Sequence, residues 1–213
     1  PVTQTVDKTS EGAKNTPQSN TPEFTGDVDL DVPPTFDDGT TTRVVEGEGT
    51  YTVNPTTGEV TFTPKPEFTG VATGVSVQVK DANGTPVEAS YTPKVKGVTP
   101  TATPAKSKDI QGKPQTGLPE FKGGKVTVNG EEKVVPIDET KAPKLIDPKT
   151  GDPVDSVKVE GEGTYTIEDG KVKFQPEPQF TGKGEGVEVQ RVDKNGTPVT
   201  AKYTPTVLGK TTT

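Results

Sequence analysis

Apolar and polar residues alternate along several short stretches of the chain, and this spacing predicts β-strands. In the segment 75–80, Val75, Val77 and Val79 occupy every second position, with Ser, Gln and Lys between them. Successive side chains of a strand point to opposite faces, so this segment is expected to bury one face and expose the other. No stretch shows the apolar spacing of a helix. The pattern therefore predicts an all-β protein.

The second half of the chain shows the strand pattern most completely. Turn residues separate its apolar stretches, and the pair Asn129-Gly130, like Asn83-Gly84 in the first half, is typical of a hairpin connection. About seven short strands in roughly 100 residues are typical of a β-sandwich. The strands expected in this half cover 125–128, 133–136, 157–159, 164–167, 172–175, 186–192 and 199–204.

An internal repeat is the strongest signal in the sequence. The segment 45–52 recurs at 159–166, and 62–70 recurs at 174–182 with the same aromatic and glycine positions. The chain is therefore expected to contain two copies of one domain, with a longer front half in the second copy. The residues of the repeat motif, to which we assign a structural role, are Gly47, Gly49, Tyr51, Phe62, Phe68, Gly70, Asn83, Gly84, Tyr91, Gly161, Gly163, Tyr165, Phe174, Phe180, Gly182, Asn195, Gly196 and Tyr203.

The repeat sets the expected domain organisation, which is two tandem immunoglobulin-like β-sandwich domains joined end to end. Polar, proline-bearing composition predicts linkers and frayed ends outside the copies. The expected boundaries are a flexible N-terminal segment 1–20, a first repeat 21–98, a Pro/Thr-rich linker 99–113, a second repeat 114–208 and a tail 209–213. The expected core residues are Tyr51, Val53, Phe62, Phe68, Val75, Val77, Val87 and Tyr91, with Tyr165, Ile167, Phe174, Phe180, Val187, Val189, Val199 and Tyr203 as counterparts.

Composition supports strands over disorder. Only 26% of the 213 residues are hydrophobic, which is low for a globular protein. The apolar residues include 28 Val against four Leu and four Ile, and Thr, with 37 copies, is the commonest residue. These β-branched side chains fit pleated strands and disfavour helices.

The residue types that are absent exclude several classes of site. The chain has no His, Cys, Met or Trp. It therefore has no Ser-His-Asp triad, thiol nucleophile, His/Cys metal or haem site, or disulfide. A net charge of −7 argues against nucleic-acid binding. The sequence shows no recognisable membrane span, signal peptide or nucleophile–base pair. We therefore expect a monomeric protein that is not an enzyme and binds no cofactor. It is expected to be either a fragment of a larger protein or a small soluble protein.

Paired carboxylates are the first candidate chemistry. Glu46 and Glu48, and likewise Glu160 and Glu162, lie two residues apart and share one face of an extended segment. Two such acids could perform acid–base catalysis or bind Ca²⁺. The glycines between them favour a solvated structural role at the start of a strand.

Four further features admit more than one interpretation. Asp81-x-Asn83-Gly84 and its copy at 193–196 resemble the start of an EF-hand loop, but the twelfth position is Thr92 or Thr204 rather than Glu, so a hairpin is preferred. Asn83 and Asn195 also begin glycosylation sequons. A Lys–Asn isopeptide crosslink has no assignable pattern. A weak cation site is a further hypothesis for the acidic cluster Asp27, Asp29, Asp31, Asp37 and Asp38.

The repeat motif resembles the repeats of CshA-type surface adhesins of Gram-positive bacteria, chiefly streptococci. The resemblance lies in 47–53, 57–64, 68–70, 81–85 and 91–93, and again from 161 to 205. It implies a repeat of a cell-wall-anchored fibril, located outside the cell, whose ligand is bound by a separate region. The implied partners are neighbouring repeats of the same chain and, through other regions of the parent, host surface proteins.

Two functions follow as hypotheses. The first is a structural stalk repeat that projects an adhesive tip from the cell wall and supports adhesion. The second is a binding module that itself contacts host glycoprotein, carbohydrate or neighbouring fibrils. An exposed aromatic or apolar patch distinguishes the second hypothesis from the first.

Overall fold

The computed structural model describes residues 4–210, and over this range every regular element is a strand. The all-β prediction is therefore confirmed. The chain divides into two compact units. The first contains the residues up to Val98 together with Lys125–Lys133, and the second contains Thr99–Gly124 and the residues from Val134 onward.

The first eleven strands lie in the first unit. In chain order they are β1 Gln4–Val6, β2 Lys8–Ala13, β3 Gln18–Asn20, β4 Glu23–Thr25, β5 Thr35–Phe36, β6 Thr42–Val45, β7 Gly49–Val53, β8 Val60–Pro64, β9 Gly70–Val71, β10 Val75–Lys80 and β11 Pro86–Lys96. One sheet has the order β2-β11-β10-β5, with β9 also paired to β11, and the other has the order β3-β8-β7-β6. A two-stranded ribbon, β1-β4, accompanies them.

The remaining strands follow a similar plan. They are β12 Thr101–Thr103, β13 Ala105–Ile110, β14 Gln115–Gly117, β15 Glu120–Lys122, β16 Gly124–Val128, β17 Glu131–Val135, β18 Lys144–Ile146, β19 Pro153–Val154, β20 Ser156–Val159, β21 Gly163–Glu168, β22 Lys171–Pro176, β23 Gly182–Lys183, β24 Val187–Val192 and β25 Pro198–Leu208. The sheets of the second unit are β13-β25-β24-β18-β19, with β23 on β25, and β14-β22-β21-β20. The ribbon β12-β15 accompanies these sheets, whereas the ribbon β16-β17 consists largely of residues that group with the first unit.

The core of each unit lies between its two sheets. In the first unit, Tyr51 and Phe62 of one sheet and Val77 and Tyr91 of the other are fully buried. Their counterparts Tyr165, Phe174, Val189 and Tyr203 are fully buried in the second unit. Most of the predicted core is confirmed, but Phe68, Phe180, Val87, Val199 and Ile167 are only half-buried.

The ends of the repeats differ from the sequence expectation. Segment 1–20 was expected to be flexible, yet Lys8–Ala13 pairs in parallel with the last strand of the first unit, from Tyr91 to Lys96. Segment 99–113 was expected to be a linker, yet Ala105–Ile110 pairs in parallel with 203–208. These strands are charged and polar, which is typical of edge strands and hides them from an apolar pattern. Of the expected tail, 211–213 lies outside the described residues.

The hairpin around Asn129 and Gly130 is present, with both residues at positive φ (52° and 78°). Most of this hairpin, Lys125–Lys133, belongs to the first compact unit although it follows the first repeat in sequence. Lys96 of that unit donates a hydrogen bond to the carbonyl oxygen of Thr127 at 2.7 Å.

Candidate functional site

The glycines of the Glu-Gly-Glu-Gly motif form a tight turn into a strand. Gly161 has a φ of 79°, with open space where a side chain would lie. Gly163 has no such space, because a Cβ atom there would lie 2.4 Å from the carbonyl oxygen of Gln175. Gly47 and Gly49 repeat this arrangement in the first unit. The motif therefore meets a backbone requirement.

The paired carboxylates separate into two different environments. Glu46 and Glu160 are exposed, whereas Glu48 is half-buried and Glu162 is buried. Glu48 accepts hydrogen bonds from the backbone N–H and the hydroxyl of Thr73, at 2.9 and 2.6 Å. The structural role is supported, but the expectation of a solvated pair is wrong for Glu162, because the folded chain covers it.

Glu162 makes a closer set of contacts. Its Oε1 accepts the backbone N–H of Glu185 at 2.7 Å, and its Oε2 accepts the hydroxyl of Tyr165 at 2.7 Å. The same hydroxyl accepts the N–H of Gly186 at 3.0 Å. Glu162 therefore joins the turn before β21 to the loop before β24. Burial, followed by the bond to Glu162, raises the pKa of Tyr165 far above its ordinary value. Burial raises the pKa of its counterpart Tyr51 to about 12.

The four aromatic residues of the motif form a connected chain in each unit. In the first, Tyr51 lies 4.5 Å from Phe62 and 6.4 Å from Tyr91, and Phe62 lies 6.2 Å from Phe68 (ring-centroid distances). The corresponding distances in the second are 4.6, 6.4 and 6.5 Å. Edge-to-face and tilted contacts of this kind add to the stabilisation from burial. These motif residues belong to the core rather than to a ligand surface.

A buried polar network accompanies the last tyrosine of each unit, and the sequence analysis missed it. Ser107 donates to the side-chain oxygen of Gln115, and the hydroxyl of Tyr203 donates to Ser107. The amide nitrogen of Gln115 donates to the carbonyl oxygen of Thr206 at 3.1 Å. The network thereby links β13, β14 and β25.

The first unit contains the same network. Ser10 contacts both Gln18 and Tyr91, and Gln18 donates to the carbonyl oxygen of Lys94 at 3.1 Å. In sequence, Ser10 is separated from Ser107, and Gln18 from Gln115, by the same number of residues as the repeated prolines Pro22 and Pro119. Extending the repeat towards the N-terminus would therefore have found these residues.

The Asp-x-Asn-Gly segments are hairpin turns. One carboxylate oxygen of Asp81 accepts the backbone N–H groups of Asn83 and Thr85, both at 2.9 Å. Asp193 repeats this at 2.9 and 2.8 Å. Gly84 and Gly196 take the positive φ of the turn. The hairpin prediction is confirmed, and these carboxylates bind their own loop.

The acidic cluster of the first unit is also bound internally. Arg43 pairs with both Asp37 and Asp38, and Asp29 caps the N–H of Asp31. Hydrogen bonds from Thr40, with Arg43 nearby, lower the pKa of Asp38 to about 2. Within residues 4–210, no group of three or more Asp or Glu side chains could hold a metal ion.

Glycosylation and an isopeptide crosslink remain predictions. Asn83 is exposed and Asn195 is half-buried, so only the first sequon lies fully at the surface. Among the described residues the buried polar side chains are Gln18, Gln115, Glu162 and Asp193, and this set supplies no lysine for a crosslink. The strands and turns of 4–210 include no helix able to span a membrane.

The described aromatic side chains are all buried or half-buried, and several apolar residues line a groove in the first unit. The groove has a volume of about 570 Å³, and Phe24, Leu30, Val32 and Pro33 contribute to its walls. Leu30 is 90% exposed. Exposed apolar grooves are typical of interaction sites, so this groove bears on the binding hypothesis.

Comparison with protein families gives a match to a model described as the surface adhesin CshA repetitive domain, over residues 1–95 and 97–207. The two matches together span nearly all of the chain. Comparison with curated proteins gives no match.

Several solved structures are similar to this chain. Repeat domain 13 of the fibrillar adhesin CshA from Streptococcus gordonii is 48% identical, over 31% of this chain and 83% of that one, with a TM-score of 0.19. The titin domains z1z2 are 11% identical over 98% of both chains, with a TM-score of 0.41. The Ig1-2 module of the Drosophila receptor phosphatase DLAR is 12% identical over 98% of this chain and 99% of that one, with a TM-score of 0.27.

Proposed function

Because this chain belongs to the family of the repetitive domain of the surface adhesin CshA, we propose that it serves as load-bearing stalk repeats that project an adhesive tip from the cell wall. The family is one of adhesin repeats rather than of enzymes. The proposal extends to the repeat boundaries. Each repeat includes its polar first strand, so the load-bearing domains begin near Lys8 and Ala105.

One observation of topology supports the load-bearing role. The first long strand of each unit pairs in parallel with its last strand, over six residue pairs, as in Lys8–Ala13 against the end of β11. Force applied to the two ends of such a unit acts along these strands. The hydrogen bonds of the ladder are then sheared together rather than opened one at a time. A ladder loaded in this way resists forced unfolding, which is governed by the unfolding rate.

The second unit has the same arrangement, since Ala105–Ile110 pairs with residues 203–208. Tandem units of this kind contribute length in proportion to their number. The buried networks of Ser10 and Ser107 lie on the same strands and tie them to the opposite sheet. Adhesion at the tip would then be supported by repeats that stay folded under load.

Force spectroscopy of the intact chain tests this proposal. Each unit is expected to unfold in its own step, releasing roughly 300 Å of chain. Because the chain has no cysteine, a disulfide can be introduced across the terminal strands, by Thr9→Cys with Thr92→Cys in the first unit or by Lys106→Cys with Thr204→Cys in the second. When oxidised, either disulfide should remove the unfolding step of its own unit from the force trace, and a reductant should restore that step. Extension at low force without discrete steps would refute the load-bearing role.

The groove beside Leu30 supports a second candidate, a module that binds host glycoprotein, carbohydrate or a neighbouring fibril. In a solid-phase assay, binding of the chain to host matrix proteins that is lost in Leu30→Ser would favour this candidate. Val44→Ser, at another exposed valine, is the matched control. No binding by the unmodified chain would leave the stalk as the function.

A further inference from the structure

Three Asn-Gly pairs occur in the chain, at 83–84, 129–130 and 195–196. Glycine has no Cβ, so its backbone nitrogen is unusually free to attack the side-chain carbonyl carbon of a preceding asparagine. The attack closes a five-membered succinimide ring. The three pairs share this local chemistry, and the structure gives them different surroundings.

Two of the pairs hold the attacking nitrogen in a hydrogen bond. Gly84 donates its N–H to the carbonyl oxygen of Asp81 at 3.0 Å, and Gly196 donates to that of Asp193 at 2.9 Å. The aspartate carboxylates also bind the N–H groups on either side of these glycines. The nitrogen can react only after it leaves its acceptor, and the loop must loosen for that to happen.

The third pair lies in a different turn. Asn129 and Gly130 are exposed at the tip of the β16–β17 hairpin. Within the part of the chain that the structure describes, the N–H of Gly130 donates to no backbone acceptor. Its nitrogen is therefore available without the loss of a backbone hydrogen bond.

We propose that Asn129 is a site of spontaneous deamidation, selected among the three pairs by the fold. The backbone nitrogen of Gly130 forms a bond to Cγ of Asn129, and the side-chain nitrogen leaves as ammonia. Water then opens the succinimide at either carbonyl, which yields aspartate or isoaspartate. The net change replaces NH₂ with OH and needs no oxidant or enzyme.

The modification changes a charged contact within the first unit. Lys96 pairs with Glu11 at 2.8 Å and donates to the carbonyl oxygen of Thr127 at 2.7 Å. Lys96, aided by the backbone N–H of Asn129, lowers the pKa of Glu11. Deamidation places a second carboxylate beside that of Glu11, and isoaspartate also lengthens the two-residue turn. Both changes should loosen the hairpin from the rest of the unit.

Peptide mapping of the aged, folded chain tests the site. After incubation at mildly alkaline pH, digestion and mass spectrometry should show position 129 converted about 3- to 10-fold faster than 83 or 195, the range expected for one hydrogen bond. In urea the three rates should converge. Equal rates in the folded chain would overturn the proposal. So would an advantage at 129 that persists in urea, because the cause would then be sequence rather than structure.

Four variants extend the test. Asp81→Ala should raise the rate at Asn83 towards that at Asn129, because it releases the turn that holds Gly84. Asn129→Asp, which mimics one product, should speed hydrogen exchange of the hairpin amides, and Glu11→Gln in the same chain should restore protection. Asn83→Asp is the matched control and should leave the hairpin unchanged. Unchanged exchange in Asn129→Asp would refute the loosening of the hairpin.

Discussion

The hydroxyl of Tyr165 donates a 2.7 Å hydrogen bond to Oε2 of Glu162, whereas Oε2 of the equivalent Glu48 accepts the hydroxyl of Thr73. Two copies of one motif thus use the same glutamate in different ways. The second copy buries its glutamate more deeply, and a buried carboxylate depends on every donor around it.

Glu162→Gln should destabilise the second unit by about 1–3 kcal/mol, because the amide cannot accept both the Tyr165 hydroxyl and the Glu185 N–H. Glu48→Gln should cost less, since Glu48 is half-buried and water can replace its partners. Urea unfolding of the two variants tests the order. A larger loss for Glu48→Gln would contradict this account.

Because its tyrosines are buried, the folded chain is expected to lose stability at alkaline pH. The pKa of every tyrosine is raised, to about 12 for Tyr51, against about 10 in an unfolded chain. The folded state therefore keeps protons that the unfolded state releases. The resulting stability is complete below about pH 10 and is lost as the pH rises through the folded values. Tyrosinate absorbance should appear together with unfolding, and ionisation of the tyrosines near pH 10 in a still folded chain would contradict the prediction.

Gly163→Ala should lower the free energy of unfolding by several kcal/mol, as severe core defects do. The reason is that the alanine Cβ would lie 2.4 Å from the carbonyl oxygen of Gln175. Gly161→Ala is the control, since its Cβ meets open space and the cost is the strain of positive φ, about 1–2 kcal/mol. Thermal denaturation should show the difference. Equal losses would mean that turn conformation alone explains the motif.

Gln115→Met should destabilise the second unit by about 1–3 kcal/mol, because Thr206 loses its donor and Ser107 loses its acceptor. Gln18→Met should do the same to the first unit. Hydrogen exchange resolved by residue should show each loss confined to its own unit. A loss spread over both units would mean that they unfold as one.

The sequence by itself determined the elements that are defined by local spacing. Alternating valines specify a strand with one buried face wherever they occur, as in Val75, Val77 and Val79. The motif glycines marked the turns, and the paired aromatics marked two cores. The repeat also led to the family, and the family model confirms that resemblance.

Only the tertiary structure determined the features that depend on residues distant in sequence. Lys8–Ala13 and Ala105–Ile110 form strands because a long partner strand supplies backbone hydrogen bonds, which do not require apolar side chains. Glu162 is buried because a distant loop covers it, and nothing in its neighbours distinguishes it from Glu48. The grouping of Lys125–Lys133 with the first unit likewise depends on contacts between residues far apart in sequence. Local pattern encodes which way a side chain faces along a strand, but only the folded chain determines what lies opposite.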